Sequence, residues 1–214
     1  LLLALLAWVQ VAIGWATLLA PWRAVAPVEL LGLLGLSALS YLLRGIRLYD
    51  YFHGLMRGHL LLTLRLSILH NVANNLLPMR TGEAVFPLLM KRYFGHGYVL
   101  SALSLLWIRL LDLQVLGQVA LLAGWFAAPH WAWPVLMALS WAAIPLFYQQ
   151  RHRLAALAVA RGRGGRWAGR AFAVLGSVAE SLPDSPARLA RVYLWTLLSW
   201  ASKLIAFVVI LRHF

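Results

Sequence analysis

The run Val99–Phe126 carries only two charged residues, Arg109 and Asp112. As an α-helix it reaches about 42 Å, against a hydrocarbon thickness of about 30 Å. A segment this long and this apolar predicts a membrane-spanning helix that tilts, bends near Gly117 or protrudes. Four more runs are of spanning length or close to it: Leu1–Ala20, Val28–Leu43, Trp131–Tyr148 and Val192–Leu211. The first lacks a basic n-region and reads as a span, not a signal peptide. On the second, Gly32 and Gly35 offer a place for a neighbouring helix to come close. With 63% hydrophobic and 12% charged residues, the chain cannot supply a solvated shell, which excludes soluble enzyme folds. The expected fold is therefore all-α, a polytopic helical membrane protein with about five transmembrane helices. The absence of cysteine excludes disulfides, thiolate metal sites and cysteine nucleophiles.

The formal charge of +13 would suggest nucleic acid in a soluble protein, but here the bases cluster between the apolar runs. The stretch Arg44–Arg57 has Arg44, Arg47 and Arg57 against Asp50. Arg151–Arg170 has six arginines and no acid. Both are expected on the cytoplasmic side, since Lys and Arg accumulate there. The turns Ala127–His130 and Pro21–Pro27, nearly free of bases, fall on the other side, where Trp22, Trp125, Phe126, Trp131 and Trp133 form an aromatic belt. Residues 150–190 read as a basic cytoplasmic linker attracted to anionic lipids. No stacking or groove-reading pattern accompanies it, so nucleic acid is not an expected partner. RGRGGR lacks the Lys-Ser/Thr ending of a phosphate loop.

Parity then constrains the middle of the chain. It lies inside at Arg57 and again near Lys91 and Arg92, so residues 59–91 enter and leave on one side. They predict a re-entrant hairpin: a helix His59–Leu77, a break at Pro78-Met79-Arg80-Thr81-Gly82 and a return helix Glu83–Lys91. Irregular backbone at membrane depth survives only when buried in protein or lining a wet cavity.

The hairpin reads HNVANNLLPMRTGEAVFPLLMKR from His70. Asn71, Asn74 and Asn75 extend a polar face begun by Ser67 and His70. Pro78 interrupts the helix, Gly82 permits a sharp reversal, Thr81 is a possible N-cap, and Glu83 falls in the first turn of the return helix. A free helix N-terminus beside the Arg80 guanidinium suits a phosphate. Two readings stay open: a polar pathway or lipid headgroup site, or Asn and Thr satisfying a broken backbone with Arg80 and Glu83 as a structural pair. Arg109 and Asp112, at i and i+3, form a second intramembrane pair with Gln114 and Gln118 nearby; they can neutralise each other, and either an interhelical tie to Arg80 or Glu83 or lipid contact stays open. Lys203, in the middle of the last run, calls for a buried partner. His53, His59 and His70 read as interfacial or core residues; no metal site, catalytic residue or cofactor is expected.

Asn74-Asn75-Leu76-Leu77-Pro78-Met79-Arg80-Thr81-Gly82-Glu83, preceded by Arg44-Gly45-Ile46-Arg47 and followed by Arg109-Leu110-Leu111-Asp112, resembles the transmembrane region of the lysylphosphatidylglycerol synthase family. This group is also described as flippase-like integral membrane proteins. The resemblance implies an all-helical domain with re-entrant helices, in a bacterial inner (plasma) membrane, that handles phospholipid or polyprenyl-linked lipid. It places weight on Asn75, Pro78, Arg80, Gly82 and Glu83, and also on Arg47, Arg109 and Asp112.

Members carry a second re-entrant segment downstream of a helix like Tyr193–Leu211. The 214 residues, read as a single integral membrane domain, are thus expected to be a fragment of a longer one or else a minimal domain. No soluble aminoacyl-transfer domain is present in them, so the transferase reaction is not expected. The leading expectation is a non-enzymatic, flippase-like protein whose partners are membrane lipids, chiefly anionic. The alternative is a non-transporting partner or regulator of a lipid-modifying enzyme or glycosyltransferase.

Overall fold

A computed structural model of the chain describes residues 2–161, 177–178 and 181–212. Every regular element among them is helical: α1 (Leu2–Ala12), α2 (Trp15–Ala24), α3 (Pro27–Tyr51), α4 (His53–Met56), α5 (Leu60–Leu76), a 3₁₀ turn (Pro78–Ala84), α6 (Val85–Phe94), α7 (Tyr98–Ala127), α8 (Ala132–Arg161) and α9 (Pro186–Leu211). Among these residues α3, α7 and α9 are long and apolar enough to cross a membrane. The chain divides into two compact units, Leu1–Ser40 with Ala201–Phe214, and Tyr41–Trp200.

In the first unit the run Leu1–Ala20 is not one helix. Gly14, at φ 82°, separates α1 from α2, and at 11 and 10 residues each covers only about half the hydrocarbon core. The start of α3 is fixed by Pro27 at its first position and by Glu29, whose Oε2 accepts the Ala26 N–H at 3.2 Å. Gly32 and Gly35, expected at a close helix contact, would meet no atom within 4 Å if given a Cβ. Lys203 is half-buried.

In the second unit α7 shows how a membrane reverses the usual pattern. Its Leu106, Leu110 and Leu113 are exposed, while Ser101, Ser104 and Asp112 are buried with Ile108, Leu111 and Val115. Apolar side chains facing out and polar ones facing in give a stable helix only in a hydrocarbon surround. The core joins Met56, Leu66, Phe86, Met90, Leu111 and Val192, so α5, α6, α7 and α9 share it. α7 runs unbroken through Gly117 and packs against α6 and α8; Gln118 donates to the Met137 carbonyl and to Ser140 on α8.

Three boundaries differ from the sequence expectation. Instead of stopping at Leu43, α3 continues to Tyr51, so Arg44, Arg47 and Asp50 are helical and not in a cytoplasmic loop. Their charges do not end the helix because they find partners in distant parts of the chain, as described below. The run Trp131–Tyr148 is the first part of a helix reaching Arg161, with Pro145 inside it. The basic linker is thus helical at its start, and its residues 162–176 and 179–180 lie outside the described residues. The return helix begins at Val85, not Glu83, because the 3₁₀ turn occupies Pro78–Ala84.

Gly95, at φ 67°, caps α6: its N–H donates to the Lys91 carbonyl at 3.1 Å, and the His96 N–H donates to Met90 at 3.4 Å. The His96 Nδ1 lies 2.8 Å from Ser101 Oγ. Burial holds this imidazole below its ordinary pKa. A depressed folded-state pKa contributes stability that is complete above the unfolded value of about 6.5 and lost as pH falls through the folded one. Thermal unfolding should therefore show a larger loss of stability between pH 7 and 5 for the wild type than for His96→Gln. Identical pH profiles would contradict this.

Candidate functional site

Each charge buried in the second unit is held by residues far away in sequence. Arg47 and Asp112, with side chains 6% and 9% exposed, pair through Nη1 and Oδ1 at 2.6 Å. Arg47 Nη1 also donates to Thr196 Oγ1 at 3.2 Å, and the Trp200 indole N–H donates to Asp112 Oδ1 at 3.0 Å. This joins α3, α7 and α9 around one carboxylate. Nearby, Asp50 accepts Arg191 Nε and Nη2, both at 2.9 Å, and the Trp195 indole at 3.3 Å.

Arg109 extends the network to the hairpin. Its Nη1 lies 3.4 Å from Asp112 Oδ2, its Nε 3.2 Å from Glu83 Oε1, and its Nη2 3.5 Å from His70 Nε2. The i, i+3 contact of Arg109 with Asp112 is present, but the stronger partner of Asp112 is Arg47. Glu83 is tied to Arg109 on α7 from within the 3₁₀ turn. Arg44 donates to Asn71 Oδ1 at 3.4 Å, and its guanidinium lies 5.7 Å from the Trp200 ring centroid. Among the described residues no carboxylate lies within ion-pair distance of Arg44. Its Nε is buried without a hydrogen-bond partner, as is Asn74 Oδ1.

These groups border a cavity of about 30 Å³ between α3, α5 and α7, lined by Arg44, Arg47, Ser67, His70, Asn71 and Arg109 beside apolar residues such as Phe86 and Ile108. That volume accommodates one or two waters. Three guanidiniums share two carboxylates, so the cluster carries one positive charge in excess.

The residues singled out in the sequence separate into two groups. Asn71 bridges the Ser67 carbonyl and Arg44, and Asn74 Nδ2 lies 3.1 Å from His70 Nε2; with Glu83, Arg109 and Asp112 they belong to the cluster. Asn75 and Thr81 are exposed. Thr81 does not cap the return helix; its hydroxyl donates back to the Pro78 carbonyl at 2.9 Å. The Arg80 side chain lies outside what the structure describes. α5 ends at Leu76, and its cap Leu77 is extended at φ −85° and ψ 134° immediately before Pro78. Gly82 is not among the described glycines at positive φ, which are Gly14, Gly58 and Gly95. It is glycine because the turn lies directly on the backbone of Ala73 and Asn74. Arg44, His70, Thr196 and Trp200 were not singled out as site residues. The available signal was the scarcity of acids: Asp112, one of six, has to be shared, and indole donors on a facing helix suit it.

An all-helical fold with lipid-like exposure outside and paired charges inside defines an integral membrane protein. The family described as Lysylphosphatidylglycerol synthase TM region matches residues 1–214, the whole chain, and the protein belongs to it. That membership sets it among membrane proteins of lipid metabolism or transport. No curated protein and no solved structure matches the chain.

Proposed function

We propose that the protein is flippase-like and takes the phosphate of an anionic phospholipid or polyprenyl-linked lipid at Arg44, with Arg109 and Asn71 beside it. The excess positive charge at Arg44, next to buried polar atoms without partners, carries this reading. In it α5, the 3₁₀ turn and α6 form a re-entrant hairpin entered from the cytoplasm, and the α1–α2 pair and α8 supply the crossings beyond α3, α7 and α9. Since the cavity has room only for one or two waters, the headgroup enters when the hairpin tip moves. The attachment of that tip through Glu83 and Arg109 is the more exposed part of the network, with side chains 35% and 32% accessible.

The same small cavity favours a second reading, a non-transporting partner of a lipid-modifying enzyme or glycosyltransferase, in which the cluster only fastens helices. Reconstitution into liposomes with labelled anionic and polyprenyl phospholipids separates the two. Transport predicts movement above empty vesicles that falls about tenfold or more in Arg44→Ala, the loss of one charge-assisted hydrogen bond. Wild-type vesicles no faster than empty ones, or an undiminished Arg44→Ala, would reject the transport reading.

A further inference from the structure

A cavity of about 430 Å³ opens between α8 and α9 in the second unit and shares no lining residue with the cavity at the charged cluster. Its walls are Trp141, Ile144, Pro145 and Tyr148 on one side and Leu189 and Tyr193 on the other. α8 packs closely against α7. Towards α9 it reaches through large side chains, the Trp141 and Tyr193 rings meeting edge to face at 5.1 Å. The Tyr148 hydroxyl is already committed to the Pro183 carbonyl at 3.1 Å.

Water finds few polar partners in this space. Its size is that of a small-molecule pocket, and its lining suits hydrocarbon. A charge lies close by. Gln149 is part of the lining, and Arg153 lies one turn further along the same face of α8. Arg153 is exposed, with no carboxylate at ion-pair distance among the described residues. A long basic side chain one turn beyond an apolar cleft is placed to meet a headgroup at the interface.

We infer that the α8–α9 cleft holds one hydrocarbon chain of an anionic membrane lipid, whose phosphate is met by Arg153. This site is separate from the one at Arg44 and requires no transport.

The test is photolabelling of the full chain in liposomes with phosphatidylglycerol or phosphatidylcholine carrying a diazirine in one acyl chain. Peptides covering residues 141–149 and 186–193 should take label from phosphatidylglycerol about fivefold more than from phosphatidylcholine, the preference expected for one base near the surface. Arg153→Glu should remove the preference. Ala190 also belongs to the α9 wall; Ala190→Trp, which fills the cleft from there, should suppress label while label on the exposed Leu106–Leu113 face of α7 stays unchanged, which also shows that the variant is folded. Equal labelling by the two lipids in the wild type, or full labelling in Ala190→Trp, would overturn the inference. So would efficient disulfide formation between a cysteine at Ala190 and one within residues 162–176, because the chain itself would then occupy the cleft.

Discussion

Asp112→Asn should lower stability by about 3–5 kcal/mol, the cost of leaving a buried guanidinium without its counter-charge. Arg47 is nearly inaccessible and depends on this carboxylate at 2.6 Å. Arg109 and the Trp200 indole depend on it as well, so one substitution loosens α3, α7 and α9 together. It also raises the excess charge of the cluster from one to two. Removing both members should cost far less, because an apolar pair of similar volume carries no desolvation penalty. Arg47→Met with Asp112→Leu is therefore expected within about 1–2 kcal/mol of the wild type while the single variant is not. Thermal unfolding in lipid nanodiscs measures both. If the single and double variants melt together, charge pairing is not what holds the three helices.

The contrast also explains which parts of the molecule could be read from the chain. Apolar runs fixed the expected positions of α3, α7 and α9, and Pro78 marked the end of α5, because hydropathy and proline act locally. The run ending at Leu43 marked where charge begins, but the helix went on to Tyr51. Local pattern cannot separate a loop arginine from one whose carboxylate is 65 residues away, as for Arg47 and Asp112. Placing Arg44 and Arg47 with the loop bases therefore assigned to topology two charges that the fold keeps inside. Trp195 and Trp200 show the same limit from the other side. Their apolar bodies fit any membrane helix, and only their indole contacts with Asp50 and Asp112 reveal a polar task. Gly14 carried too little signal against seventeen apolar residues in the run Leu1–Ala20 for a break to be expected there.

Gly82→Ala is the second large effect. A Cβ at this position would overlap the Ala73 carbonyl carbon and the Asn74 nitrogen, which are backbone atoms inside α5 and cannot rotate away. At Gly45 the obstruction is a terminal methyl of Leu64, which another rotamer can move. Gly82→Ala is thus expected to cost about 1–3 kcal/mol or more, and Gly45→Ala distinctly less, though both add a single methyl group. The cost at Gly82 is paired with a geometric consequence. Its relief requires the 3₁₀ turn to lift from α5, and Glu83, the next residue, then moves away from Arg109, 3.2 Å distant in the wild type. Glu83→Gln should consequently destabilise the wild type but add little in the Gly82→Ala background, a coupling that a double-mutant cycle of unfolding measurements reads directly. Strict additivity of the two changes would mean that the turn holds its place despite the added methyl, and that the seat of Gly82 on α5 does not position the Glu83 carboxylate.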